Sequence, residues 1–310
     1  MGRRAGAVVC ALQLEAGRAD DEQADRPAED VEGLVMRTFS FGAGVQSTAV
    51  LALQAMGRLS EPYDVFLFAN VGDDSEHPDS LDYFRDVHVP YAEAHGIDLQ
   101  ELRRIKRDGT EETVYGRITN PTSKSQSIPI YMGNGAPGRR SCTADFKIRV
   151  IRKWQRQHGS SRDDPAVCGL GISVDEVQRA RTDSGFDDQV LEYPLIDLGM
   201  NRSDCVAVTA EAGLPPAPKS ACWFCPFHDR EAWRKLKRET PDLFQKAVEL
   251  ERTINMLRAE GVKDGMPCVQ QSQQVWLTRS LRPLDQVIDD QLQFAWVDGP
   301  DGCDSGSCFT

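Results

Sequence analysis

The apolar residues along the first two-thirds of the chain predict strands that alternate with helices. Short β-rich runs with continuous apolar character indicate buried strands, and stretches with apolar residues at a helical period follow them. We expect a kink at Pro90 and helix ends at Gly57 and Gly96. The strands are predicted at 36–41, 63–71, 166–172 and 190–196, and the helices at 47–56, 78–95 and 145–158. This alternation is typical of an α/β fold with a parallel sheet and helices on both faces.

The pattern changes at both ends of this region. Beyond Gly199 only helical periods remain, at 202–212, 230–238 and 241–260. Near the start, residues 15–32 hold eight acidic residues, two arginines and no aromatic residue, a composition typical of disorder. Three parts are therefore predicted: a disordered acidic tail at 1–35, an α/β domain at 36–199, and at 200–310 a helical subdomain with a flexible cysteine-containing end.

The net charge and the cysteine content restrict which binding partners and which cellular compartment we expect. With 36 basic and 48 acidic residues, the net charge of -12 disfavours general attraction to a polyanion, so any nucleic-acid contact should be local. The basic run at 147–156 is the candidate for such a contact, unless it is simply a solvated helix face. An odd number of cysteines, nine, and no apolar stretch of membrane-spanning length favour a cytoplasmic protein without a membrane partner.

A glycine-containing turn joins the first predicted strand to its helix and reads SFGAGVQST. Glycines let backbone approach a ligand, and the amides that open a helix favour an anion such as a phosphate chain. The turn lacks the lysine of a Walker loop and the third glycine of a dinucleotide fingerprint, and an ordinary strand-to-helix turn is the alternative. The candidate nucleotide-binding residues are Ser40, Gly42, Ala43, Gly44, Gln46, Ser47 and Thr48.

The cysteines form a second candidate site. Cys222 and Cys225 are spaced so that both thiolates can reach one metal ion or cluster, and a proline follows the second, as in some iron–sulfur runs. Zinc fits the spacing equally well. The remaining ligands are expected from Cys142, from Cys303 or Cys308, or, for zinc, from His228.

Several motifs in one order carry a resemblance to a known family. The loop SFGAGVQS resembles the PP-loop of the adenine-nucleotide alpha-hydrolase-like superfamily, and most closely the phosphoadenosine phosphosulfate (PAPS) reductase-like family with its DNA phosphorothioation-type ATP pyrophosphatases. The similarity covers roughly residue 36 to the C-terminus. The other motifs are FANVGDD at 68–74, RRSCT at 139–143, GISVDE at 171–176 with Arg179, and SACWFCPFH at 220–228.

The resemblance implies a sheet of the HUP/PP-loop type that binds ATP or a PAPS-type adenosine nucleotide, with a [4Fe-4S] cluster on the cysteines. Gln46 stands where SGGxDS loops carry an acidic residue, and an amide cannot supply a carboxylate to Mg²⁺. Any Mg²⁺ would then depend on acids elsewhere in the site. The further nucleotide-binding candidates are Asn70, Asp74, Gly171, Ser173, Asp175 and Glu176.

The function implied first is ATP-dependent sulfur transfer, in which an acceptor such as DNA or RNA is adenylated and then sulfurated, with sulfur from a donor such as a cysteine desulfurase. A PAPS or adenylyl-sulfate reductase with a C-terminal cysteine nucleophile and a thiol reductant is the alternative. A zinc-stabilised nucleotide-binding module without catalysis is the third. The candidate catalytic residues are Cys303, Cys308, Lys147 and Arg179.

Overall fold

The computed structural model describes residues 35–261 and 274–289. All of them belong to one compact unit, Val35–Thr310. The predicted disorder of the acidic tail and the predicted roles of Cys303 and Cys308 lie outside the described residues.

Within the described residues, five parallel strands form one sheet in the order β3-β2-β1-β4-β5. The predicted α/β fold with a parallel sheet is thereby confirmed. The strands are β1 (Arg37–Ser40), β2 (Val65–Asn70), β3 (Leu99–Arg103), β4 (Ala166–Leu170) and β5 (Gln189–Glu192).

Two strands differ from the sequence prediction. The edge strand β3 was missed because it reads LQELR, in which polar residues interrupt the apolar run and no side chain is fully buried. The strand expected at 190–196 ends at Glu192, because Pro194 opens a short helix instead.

The helices follow the predicted positions, with three additions and short irregular turns. The sequence pattern does not predict α4, α6 or α10. The helices are α1 (Val45–Ala55), α2 (Pro78–Tyr83), α3 (Val89–Ala94), α4 (Val114–Thr119), α5 (Arg149–Gln157), α6 (Pro194–Asp197), α7 (Arg202–Glu211), α8 (Arg230–Glu239), α9 (Pro241–Ala259) and α10 (Leu284–Asp289), with π-helical turns at Phe84–His88 and Thr143–Ile148 and a 3₁₀ turn at Val174–Arg179.

The irregularity expected at Pro90 takes the form of a π-helical turn. Pro90 has no N–H to donate to the preceding turn, and just before it the N–H of Val89 bonds the carbonyl of Phe84, five residues back. The wider turn lets α2 and α3 continue as one helical run.

Alternate residues of the strands face opposite layers, as the pleat requires. Phe39 and Phe66 pack with α1 on one face, in a cluster that also takes in Cys205 of α7. Leu67 packs on the other face against Ile151 of α5. Helices therefore cover both faces.

The C-terminal helices have a core of their own that reaches back to the sheet. Trp233 of α8 and Phe244 of α9 pack in one cluster with Ile118 of α4 and with Val71, the residue after β2. This packing brings the CxxC region to the carboxyl end of the sheet. The proposed boundary between residues 199 and 200 stays a prediction.

No helix in the described part of the chain combines the length and apolar character needed to cross a membrane.

Candidate functional site

The predicted motifs meet at the carboxyl edge of the sheet. Because all five strands run parallel, the loops that follow β1, β2 and β4 emerge on the same side. The chain fills one half of the sheet with β2 and β3 and the other half with β4 and β5, so the order reverses between β1 and β4. Open α/β sheets bind ligands at such a switch point.

The segment before Cys222 crosses these loops. A Cβ atom on Gly44 would lie 3.6 Å from Cβ of Ser220, and the backbone N–H of His77 donates to the carbonyl of Ala221 over 3.2 Å. The glycine loop, the loop after β2 and the CxxC segment are therefore neighbours.

Hydroxyl groups hold the β1–α1 loop in shape. Oγ of Ser47 accepts a bond from the N–H of Gly44 and donates to its carbonyl, both at 2.9 Å. The left-handed residue of the loop is Ala43, with φ 55°, whereas Gly44 is extended. The expected turn is present, but its positive φ lies at a non-glycine residue.

His88, which belongs to none of the sequence motifs, stabilises this loop through a hydrogen bond to Thr48. Its Nε2 lies 2.8 Å from Oγ1 of Thr48, which in turn donates to the carbonyl of Gly44. Since Thr48 has one hydroxyl proton, Nε2 of His88 is the donor. Burial lowers the pKa of His88 to about 3. The only sequence signal for it was an apolar helix pattern, which does not single out a histidine.

The loop after β4 lies against the start of α1. A Cβ on Gly171 would come within 3.3 Å of the backbone nitrogen of Ser47, so a larger residue would push against the amides that open the helix. Ser173 is fully buried, and its Oγ has no hydrogen-bond partner among the described residues, whereas Asp175 is exposed. The close approach of Gly171 to the backbone of Ser47 explains why position 171 holds a glycine.

A polar network links the two loops. Nε2 of Gln46 lies 3.4 Å from a carboxylate oxygen of Glu176, which also accepts a bond of 2.6 Å from Arg179. Oε1 of Gln46 accepts from Arg202 over 3.3 Å. Burial raises the pKa of Glu176, and the charge of Arg179 opposes that shift. The structure thus brings together three predicted site residues, Gln46, Glu176 and Arg179. Arg202 joins this network and is not among the predicted site residues.

The two candidates at the carboxyl end of β2 already have hydrogen-bond partners in this structure. Nδ2 of Asn70 donates to Asp73 at 2.8 Å and to Glu101 at 2.7 Å, and Oδ2 of Asp74 accepts from Thr113 at 2.8 Å. Asn70 and Asp74 therefore stabilise the loop, and their contact with a nucleotide stays a prediction.

The three described cysteines of the candidate metal centre lie on neighbouring loops. Cys142 and Cys222 pack against the same apolar cluster, and the guanidinium of Arg140 stacks 5.1 Å from the ring of Phe227. In the described ranges, no three His, Cys, Asp or Glu side chains are grouped so that they could hold an ion. The complete ligand set, with Cys225 and a thiol of the tail, stays a prediction.

Two side chains beside this segment, one buried and one half-buried, have buried polar atoms with no described partner. Glu76 is 1% exposed and both its carboxylate oxygens lack a hydrogen-bond partner among the described residues. His228 donates from Nε2 to the carbonyl of Cys222 at 2.9 Å, and its Nδ1 likewise lacks one. Burial raises the pKa of Glu76, against the charge of Lys147, and lowers the pKa of His228 to about 4. These polar atoms lie beside the CxxC segment, but the described side chains around them do not form a ready metal site.

The arginines of the basic run form ion pairs with two aspartates, one just before the run and one near β5. Arg149 bonds Asp145 and Arg152 bonds Asp188, each at 2.6 Å, and Arg152 also stacks 4.0 Å from the ring of Phe186. These pairs favour a structural role for this helix face.

A narrow cavity of about 50 Å³ opens beside the end of β1, on the face covered by α5. This volume holds a few water molecules and no purine base. Its walls include Ser40, Cys168, Leu170, Arg181, Ser184 and Gln189.

These contacts are the basis for a functional assignment, together with the motif resemblance. Neither a protein-family model nor a curated protein matches the chain.

Proposed function

We propose that this chain is a PP-loop enzyme that binds ATP at the carboxyl edge of its sheet and transfers sulfur to an adenylated acceptor, with nucleic acid as the candidate acceptor. The observation that carries the proposal is the meeting of the glycine loop with the CxxC segment, where a Cβ atom on Gly44 would lie 3.6 Å from Cβ of Ser220. The strand order, which reverses beside this loop, supports a HUP/PP-loop type of sheet.

The residues at the edge suit the binding of a triphosphate. The amides that begin α1 provide an anion site, and Gly171 leaves room in front of them. Arg179 and Arg202 bring positive charge to the network around Gln46. Glu176 is the carboxylate of that network and replaces Gln46 as the candidate contact for Mg²⁺.

The proposed reaction has two steps. An acceptor oxygen attacks the α-phosphorus of ATP and pyrophosphate leaves, while the cations at the edge stabilise the developing charge. A sulfide-level sulfur nucleophile from the sulfur donor then attacks the activated atom of the acceptor, and AMP leaves with the acceptor oxygen, so no change of oxidation state is needed. An iron–sulfur cluster held by Cys142, Cys222 and Cys225 would supply sulfur-transfer chemistry beside the nucleotide.

Exchange of labelled pyrophosphate into ATP, with Mg²⁺ and nucleic acid present, tests the proposal. We expect exchange by the full chain and its loss in Gly171→Val, which crowds the amides of α1. Val177→Ala, at an exposed position of the same loop, is the matched control and should exchange normally.

Two outcomes would replace the proposal. Sulfite release from an activated sulfate, independent of ATP and Mg²⁺, would favour the reductase. Nucleotide binding together with one zinc per chain and without turnover would favour the non-catalytic module.

A further inference from the structure

His88 is a buried histidine that contacts the chain on both sides of the glycine turn. Its ring packs edge-on against the ring of Phe41, with 4.8 Å between the centroids, and its Nε2 lies 2.8 Å from Oγ1 of Thr48. The ring of Tyr83 packs against it as well, at 4.7 Å. Since the imidazole is fully buried among these groups, the direction in which Nε2 donates is fixed.

The π-helical turn Phe84–His88 sets the position of this side chain. The turn holds one residue more than an α-helical turn, and His88 is its last residue. A regular helix from α2 to α3 would therefore point residue 88 in another direction. Single π-helical turns of this kind are frequent at functional sites.

Thr48 connects His88 to the peptide that opens α1. Three groups donate to the carbonyl of Gly44, each at 2.9 Å: Oγ1 and the N–H of Thr48, and Oγ of Ser47. This carbonyl and the N–H of Val45 belong to one planar trans peptide, so they point in opposite directions. Because the carbonyl is held towards the helix, the N–H of Val45 points to the side from which an anion approaches α1.

Packing alone does not explain a histidine at position 88. Burial lowers the pKa of His88 to about 3, so the ring is neutral and carries a single proton, on Nε2. Its Nδ1 is buried and has no hydrogen-bond partner among the described residues, which disfavours the folded state. A leucine would fill the same space without an unpaired nitrogen. The bond from Nε2 to Thr48 is therefore the feature that only a polar residue provides.

We infer that His88 is a positioning residue of the nucleotide site. Through Thr48 it fixes the peptide plane between Gly44 and Val45, and so aims the N–H of Val45 at a phosphate of the adenosine nucleotide. This inference rests on the proposed function, because it requires a nucleotide at this loop.

Calorimetric titration of the full chain with ATP tests the role of His88. His88→Leu removes the donor and keeps an apolar side chain of similar size. It should raise the Kd of ATP about tenfold, the scale of one hydrogen bond, and change Tm by less than about 4 °C. His88→Gln keeps an N–H donor and should stay within about threefold of the unaltered Kd.

Leu81→Ala is the control for a merely structural effect. Leu81 is 4% exposed and lies in the same helical run, in the same apolar cluster. The cavity left by this change should lower Tm more than His88→Leu does and leave the Kd of ATP unchanged.

A double-mutant cycle shows whether His88 acts through Thr48. Thr48→Val removes the hydroxyl and should raise the Kd of ATP about as much as His88→Leu does. Adding His88→Leu to Thr48→Val should then cause no further rise, since the contact is already lost. His88→Met takes the place of His88→Leu in the cycle if the leucine variant does not fold.

The outcomes distinguish this inference from the proposed function. An unchanged Kd in His88→Leu, or a full further rise when it is added to Thr48→Val, would overturn the positioning role. ATP binding without pyrophosphate exchange would overturn the proposed reaction and leave the positioning role standing. An unaltered chain that binds no adenosine nucleotide would overturn both.

Discussion

At the scale of single residues, Gln46 shows how one neutral side chain fits a charged site. Its amide donates towards Glu176 and accepts from Arg202, so it separates a carboxylate from a guanidinium without adding charge. A carboxylate at this position would face Glu176 directly.

Gln46→Glu should therefore destabilise the fold by about 1.5–3 kcal/mol at neutral pH, the scale of a lost hydrogen bond to a charged group. Burial already raises the pKa of Glu176, and a second acid would raise it further. Both acids are ionised in the unfolded chain above about pH 4, so the loss should grow as the pH rises from 4 to 7. Urea unfolding at both pH values measures it, and an equal loss in exposed Gln178→Glu would contradict the explanation.

His88 makes a second residue-scale prediction, with the opposite pH dependence. Its folded pKa of about 3 lies below the unfolded value of about 6.5, so below pH 6.5 the unfolded chain takes up a proton that the folded chain refuses. Stability due to this residue is therefore lost as the pH falls. His88→Gln, which keeps an N–H donor, should reduce the loss of unfolding free energy between pH 7 and pH 4.5.

The matched control is His95→Gln, since His95 is exposed. The control should leave the pH dependence of unfolding unchanged, and the same slope in His88→Gln and the unaltered chain would rule out a neutral buried His88.

At the scale of elements, ion pairs anchor α4, which sequence patterning did not predict. Arg117 bonds Glu112 through Nε at 2.9 Å and Nη2 at 2.5 Å, and it bonds Asp145 at 2.7 Å. Its guanidinium also lies 4.4 Å from the ring of Phe146. These contacts tie α4 to the π-helical turn before α5.

Acid should loosen this attachment. Hydrogen bonds from Arg117, joined by Arg104, hold the pKa of Glu112 at about 2, below its ordinary value of about 4.3. The stabilisation is present above about pH 4.3 and is lost as the pH falls towards 2. Glu112→Gln should therefore lower the unfolding free energy at pH 5 and have little effect near pH 2, as urea titrations can measure.

Glu93→Gln, an exposed glutamate of α3, is the control and should change little at either pH. An effect of Glu112→Gln that is equal at both pH values would show that the ion pairs are not its source.

At the scale of the whole molecule, nucleotide binding should stabilise the compact unit. At a concentration of 100 times Kd, ATP adds about 2.7 kcal/mol to the unfolding free energy, because it binds only the folded chain. The corresponding rise in Tm is about 5–10 °C for a domain of this size.

Differential scanning calorimetry with ATP and with a sulfated adenosine nucleotide measures this rise and compares the two substrates. Gly171→Val should lose it, whereas Val177→Ala should keep it. A Tm that neither nucleotide changes would contradict binding at this edge.

Local patterning accounted for much of the fold. The apolar runs of β1 and β2 stand out because these strands are buried on both faces, and the helical periods of α5, α7 and α9 reflect one-sided burial. The edge strand β3 is not evident in the sequence, because polar residues interrupt its apolar run and its two leucines do not alternate with single polar residues. For the candidate site, the motifs pointed to Gln46, Glu176 and Cys222, but not to Glu76 or His88.

The sequence alone determined that strands and helices alternate. Positions that are buried in the fold are apolar, and they recur along the chain with the period of the strand or helix that carries them. Only the tertiary structure decided which loops meet. The contact of Gly44 with Ser220 and the pairing of Glu76 with Cys222 join segments that are far apart in sequence. Such contacts depend on strand order and on the packing of the C-terminal helices over the sheet edge. The local hydrophobic pattern of the sequence predicts neither the strand order nor this packing.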